Sequence, residues 1–263
     1  MVALIREKKI KSADRVLEIL EMFDAQRDSV TVMDVARCLH YPQSSTSELL
    51  GSLVRHGYLV RDRYARTYRP TSRVALLGAW VQPTLFRHGR LLPMIDELRD
   101  ECGAGVALGS IVGVGLKHLH VVGEVPDALR TGSEHHALHS PLGKTILSIA
   151  QREYVRKLVH RLNAENDPDV RVRFDDLAVE LDRARSQGFA AGAIGEDYSM
   201  VAVLLPAAAG DEKLALGLIV PSADLGARQD DLVHALRSAV SSHLKPATSR
   251  PTPVPAHAYA MAS

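Results

Sequence analysis

Five histidines lie close together in the chain: His118 and His120 in an apolar run, then His135, His136 and His139 in a polar segment. Two imidazoles at alternate positions of a strand share a face, and with a loop histidine they could hold zinc. Glu124 or Glu134 could supply a fourth ligand, giving a structural metal or a metallohydrolase-like centre. A polar surface is the plainer reading, so no metal, cofactor or catalytic residue is assigned. Residues 141–145, PLGKT, look like the end of a phosphate-binding loop, but that loop needs a glycine where Leu138 stands. Cys38 falls near the apolar side of a helix and is read as buried. Cys102 ends another helix with no activating partner in view.

A different chemistry is written into residues 41–59, YPQSSTSELLGSLVRHGYL. Gln43, Ser44, Ser45, Thr46, Ser47 and Glu48 follow a proline and precede leucines at helical spacing. As a group they are not strong helix formers. Small hydroxyls and an amide at the start of a helix let a polar partner approach the backbone and hydrogen-bond to it. Arg61, Arg63, Arg66 and Arg69 follow within a short stretch, a cationic set suited to phosphates.

The elements that must position these residues can be read from periodicity. Residues 12–23 predict an amphipathic helix capped by Ser12, with Val16, Leu17, Leu20 and Phe23 inward. Thr31 caps a second, short helix, with Asp34 in a capping-box place and Val32, Val35, Ala36 and Leu39 buried. A third helix starts near Pro42 and stops about His56, where Gly57 supplies a left-handed C′ residue. Its apolar stripe is Leu49, Leu50 and Leu53. Two short strands follow, joined by residues 62–66. Helix, short helix, turn, third helix and basic hairpin make a winged helix-turn-helix. In that arrangement the first turn of the third helix meets base edges of double-stranded DNA, and the wing holds the backbone or minor groove.

Charge agrees with this placement. The whole chain carries a net charge of only +1, while residues 1–72 carry 12 Lys+Arg against 9 Asp+Glu. Two distant cysteines give no disulfide framework and no CxxC pair, which fits a reducing cytoplasm. The apolar run at the N-terminus is too short for a signal peptide, and the longest apolar stretch is too short to span a bilayer.

Residues 12–23, 30–62 and 68–78 resemble the IclR family of bacterial transcriptional regulators, and 138–148, 188–207 and 214–225 resemble its effector half. The resemblance implies an α+β chain: an N-terminal winged helix-turn-helix at 1–72, a linker helix region at 73–102, and a GAF-like α/β effector domain at 103–245. It implies operator DNA and a small-molecule effector as partners, and a homodimer through the N-terminal region or a dimer of dimers. Family ligands are commonly small organic or aromatic acids. Carried over by position, the effector pocket would involve Ser140, Pro141, Leu142, Gly143, Ala193, Ala202, Gly217 and Ile219. Relatives that bind small carboxylates often have hydroxyl, thiol or acidic groups at such positions. The small apolar residues here imply a hydrophobic or aromatic effector, or one held by backbone amides. Glu48 departs from the basic or neutral residue of many relatives. An acid there repels phosphate but can accept from cytosine.

Within the second half, residues 105–122 predict a hairpin turning at Gly113 and Gly115, followed by a strand at 129–132. Helices are expected at 84–102, kinked by Pro93, and at 144–150, 152–160, 174–187 and 229–244. Further strands are expected at 189–193, 200–207 and 214–221. Leu77 and Trp80 are candidates for a dimer contact. Residues 246–263, rich in Pro and Ala, read as a disordered tail.

Overall fold

Thr31 and Asp34 start the second helix as their spacing predicts. In the computed structural model, which describes residues 11–23, 27–77, 89–165, 170–207 and 211–244, the Asp34 N–H donates to the Thr31 hydroxyl at 3.2 Å. The Asp34 carboxylate accepts the Thr31 N–H at 2.8 Å. The Thr31 backbone and hydroxyl donors together hold the Asp34 carboxyl below its usual range. Two helix-end donors are thereby satisfied by side chains only three residues apart, so no tertiary contact is needed to set this start.

The chain divides into two compact units, one within Arg6–Gln82 and the other beyond Pro83. In the first, α1 (Lys11–Glu21), α2 (Val32–Leu39) and α3 (Gln43–Arg55) precede a hairpin of β1 (Leu59–Arg61) and β2 (Tyr68–Pro70), and α4 (Ser72–Leu77) follows. Ile19, Met22, Val30, Val35, Leu50, Leu53, Leu59 and Tyr68 form its core. Two face assignments from periodicity are corrected. On α1, Ile19 is buried, and Leu17 is 58% exposed. On α3, the buried set is Thr46, Leu50 and Leu53, with Leu49 half-buried. Those three positions recur at four- and three-residue spacing, the inward line of one helix face. Cys38 is exposed, contrary to expectation.

The second unit is a six-stranded antiparallel sheet in the order β5-β4-β3-β8-β7-β6. Its strands are β3 (Gly105–Val112), β4 (Gly115–Val122), β5 (Glu134–His136), β6 (Ala190–Ala193), β7 (Tyr198–Leu204) and β8 (Leu214–Pro221). Residue alternation sends side chains to two faces, and each face is covered by helices. On one, α5 (Leu91–Cys102) and α9 (Ser222–His243) bury Leu98 and Leu236 against Val106, Leu108, Val201 and Leu216. On the other, α6 (Pro141–Leu147), α7 (Arg152–Glu165) and α8 (Phe174–Gln187) bury Leu142, Leu158 and Leu181 against Ala107, Leu116, Met200 and Ala202.

Several local expectations shift. Residues 129–132 are irregular chain running into a turn at 131–132, and the edge strand is β5. The last helix starts at Ser222 rather than 229. Pro93 does not kink α5, because it sits in the first turn, where its missing N–H had no helical acceptor. The helix expected at 84–102 is described from Leu91, and α5 belongs to the core of the second unit. Trp80 and the Pro- and Ala-rich tail lie outside the described residues. Among the described residues no helix is long and apolar enough to cross a membrane.

Candidate nucleic-acid interface and effector site

The first turn of α3 is held from both sides. Before it, His40 takes a left-handed conformation at φ 54° and Pro42 an extended one, so the chain turns sharply out of α2. The Tyr41 hydroxyl donates to Glu18 of α1, and the Arg15 guanidinium lies 4.6 Å from the centre of the Tyr41 ring. Leu50 and Leu53 pin the other end into the core. This leaves Gln43, Ser44, Ser47 and Glu48 exposed on a helix whose direction is fixed.

The six polar residues singled out from sequence therefore separate. The Ser45 hydroxyl, half-buried, donates to the Pro42 carbonyl at 3.0 Å. Thr46 is a correction: it is fully buried, its hydroxyl also donates to Pro42 at 3.0 Å, and it faces the core instead of a partner. Hydroxyl chemistry looks alike in sequence, and only packing tells which one turns inward.

The hairpin turn is organised by Asp62, whose carboxylate accepts the N–H groups of Tyr64 at 2.8 Å and Ala65 at 3.0 Å. Those two backbone donors, that of Ala65 first, hold its carboxyl below the usual range. Arg66 has φ 57°, a left-handed conformation uncommon for a side-chain-bearing residue. The four arginines also separate. Arg69 is ion-paired with Asp28, and Arg61 lies over the Tyr68 ring at 5.7 Å, while Arg63 and Arg66 are exposed on the turn. Tyr64, which the sequence reading passed over, is wholly exposed between them. An aromatic residue set among arginines in a short turn was the available signal.

In the second unit, the positions carried over for an effector gather only in part. Leu142, Ala202 and Ile219 lie in one buried cluster with Met200, and Ala202 is the cross-strand partner of Gly217. The Met200 sulfur stands 2.7 Å from where a Gly217 β-carbon would be, so the thioether fills that place. Pro141 and Gly143 are buried in α6, and Ser140 is its half-buried N-cap. Ala193 is exposed at the end of β6, outside the cluster. Gly143 is required by close approach, because a β-carbon there would fall 2.0 Å from the Ala137 carbonyl oxygen. Gly143→Ala should destabilise this unit by about 1–3 kcal/mol, read as a lower urea midpoint; an unchanged midpoint would show that the 137–143 turn yields freely.

A cavity of about 430 Å³ lies elsewhere in this unit, lined by Ser110, Ile111, Ile146, Ile149, Tyr154 and Glu212 among others. The buried Ser110 hydroxyl donates to the Glu212 carboxylate. None of the eight carried-over positions lines it. Ser110 and Glu212 are 102 residues apart, so only the pairing of β3 with β8 brings them together.

The histidines do not converge on a metal. A bulge pairs Leu108 with His120 but Gly109 with His118, so Leu119 is the extra residue. Neighbouring residues of β3 face opposite ways, so the bulge sends His118 and His120 to opposite faces, against the shared face expected. His118 and His135 stack edge to face at 5.0 Å, and the His135 Nε2–H donates to the Ala128 carbonyl at 3.0 Å. The His139 Nε2–H donates to Val170 at 2.9 Å. Among the described residues no three His, Cys, Asp or Glu side chains could share an ion. Burial holds His118 near pKa 4, with His135 adding to the effect, and burial also lowers His135. Burial raises the Cys102 thiol, away from a reactive thiolate.

Residues 12–63 match the IclR helix-turn-helix domain. The HTH-type transcriptional regulator XynR of Escherichia coli (strain K12) is 25% identical over 104 residues, which span 40% of this chain and 41% of that protein. The chain thus aligns with about two fifths of its curated relative's length. Solved structures share the fold at lower identity. An IclR transcriptional regulator from Alicyclobacillus acidocaldarius is 16% identical with a TM-score of 0.58, over 89% of this chain and 97% of that one. An IclR homolog from Microbacterium hydrocarbonoxydans, complexed with 4-hydroxybenzoate, is 20% identical with a TM-score of 0.57, over 88% and 98%. The effector domain of a regulator from Acinetobacter sp. ADP1 is 20% identical with a TM-score of 0.56, over 62% and 99%.

Proposed function

We propose that this chain, whose residues 12–63 match the IclR helix-turn-helix domain, is an IclR-type DNA-binding transcriptional regulator whose hold on an operator is modulated by a small, hydrophobic or aromatic organic effector. The observation that carries the DNA reading is the exposed first turn of α3, with Gln43, Ser44, Ser47 and Glu48 free of the core on a helix fixed by its other face. Side chains at the start of such a helix reach base edges, and the hairpin arginines Arg63 and Arg66 meet phosphates. The effector reading is supported by the fold of the second unit and by an aromatic hydroxy acid bound to one relative of that fold. The eight carried-over positions remain the proposed contact set, with Leu142, Ala202 and Ile219 at its centre. The effector acts by favouring one of two arrangements of the regulator over the other. Assembly as a homodimer or dimer of dimers is part of the proposal; the exposed Leu17, Leu76 and Leu77 of the first unit are apolar surface for it to cover.

The test is a mobility-shift titration of the purified protein at several salt concentrations, on DNA the protein selects from a random pool. Specific binding that weakens with salt is expected. Arg63→Ala with Arg66→Ala should weaken binding to every sequence and reduce the slope of log K against log salt by about 2 per bound subunit. An unchanged slope takes the hairpin out of the interface, and failure to select any sequence removes the DNA reading.

A further inference from the structure

His118 is 1% exposed, yet its Nε2 has no hydrogen-bond partner. Its other ring nitrogen fixes the tautomer. The Ser133 hydroxyl has a single proton, which it donates to the Arg130 carbonyl at 2.6 Å. The same oxygen accepts the Arg130 N–H at 3.2 Å. Nothing remains for Ser133 to give to His118 Nδ1, 3.3 Å away, so Nδ1 carries the proton and donates. Nε2 is then a bare lone pair, buried and asking for a donor.

Its surroundings point to what that donor is. His118 shares its sheet face with Leu116, and its cross-strand partner is Gly109, which in turn pairs with Ala215. From His118 to β8 this face carries only the small residues Gly109 and Ala215, and Leu116 together with Leu142 of α6 packs over them, their Cδ1 atoms 3.3 and 3.4 Å from the place of a Gly109 β-carbon. Ala202 and Ile219 belong to the same cluster. The result is a row of small residues under two leucine side chains, beside one buried neutral acceptor. A carboxylate is itself an acceptor and would face the lone pair unfavourably. A hydroxyl would satisfy it.

We propose that His118 Nε2 accepts an O–H from the effector, so that the effector carries a hydroxyl, phenolic or alcoholic, on an apolar body and meets this end of the site with no charge. This rests on the reading of the second unit as an effector domain. The acceptor is unsatisfied here, and Leu142 covers the small residues beside it. A hydroxylated ligand that displaces Leu142 gains a contact which only the liganded arrangement offers, and that difference shifts the population.

The test uses the full chain with ¹⁵N-labelled histidine and ¹³C-labelled methyls, probed with phenol, with toluene (the same size without the hydroxyl) and with benzoate. His118→Leu assigns the imidazole signals. The free protein should show His118 as the Nδ1–H tautomer. Phenol should move Nε2 toward the hydrogen-bonded range and bind about tenfold more tightly than toluene, a preference lost in His118→Leu. An Nε2–H tautomer in the free protein overturns the proposal. Leu142 and Ile219 methyl shifts with an unmoved Nε2 also overturn it, while leaving the effector reading in place. Methyls that stay silent to all three probes overturn both.

Discussion

Ser44→Leu combined with Ser47→Leu abolishes specific DNA binding while the protein stays folded. The two serines lie one helical turn apart on the exposed start of α3. Two leucines add bulk and remove hydrogen-bonding groups from the surface proposed to meet the bases. Affinity should fall to the non-specific level, at least about 1,000-fold at moderate salt. Leucine forms helix better than serine, so circular dichroism and the melting temperature should be unchanged or slightly raised. A doubly substituted protein that holds its selected DNA as tightly as the parent would place recognition on another surface. Thr46, between the two serines, makes the contrast: its substitution disturbs the core rather than recognition.

Acid weakens the second unit through His118. The folded pKa is about 4 against an ordinary 6.5, because burial and the neighbouring His135 disfavour the cation. Between those two values the unfolded chain binds a proton that the folded chain refuses, so stability falls as the pH drops from 6.5 toward 4. Above 6.5 the histidine contributes nothing. The accumulated loss by pH 4 is about 3 kcal/mol. His135, lowered in the same direction by its own burial, adds to it. Urea titrations across this range should show the decline, and His118→Leu should flatten most of it. A decline of equal steepness in that variant would assign the acid sensitivity to other groups.

What the sequence disclosed was local. The Thr31–Asp34 box, the stop of α8 at Gly188 and the extent of β8 each depend on residues within a few positions, and each lies where the pattern put it. What it hid depended on distant partners. Ile19 and Leu17 are both apolar on the same helix, and only the packing of α2 and α3 decides which is buried. Thr46 and Ser47 are equivalent hydroxyls until Leu50 and Leu53 turn one inward. The single extra residue at Leu119 parts two histidines that strict alternation would place together. The cavity beside Ser110 was unreadable because its wall is assembled from β3, α6, α7 and the approach to β8.

The strand order carries a consequence for synthesis. Among the described residues β8 is the last strand made, yet it lies in the middle of the sheet between β3 and β7. Until residues 214–221 have left the ribosome, those two strands each present an open edge lined by apolar side chains. Pairings of such long sequence separation form late, and unpaired edges recruit other chains in the interval. The first unit suffers no such delay, since its helices and hairpin are complete within the opening third of the chain. A message that stops short of Leu214 yields an aggregating remnant from the second unit rather than a smaller folded domain.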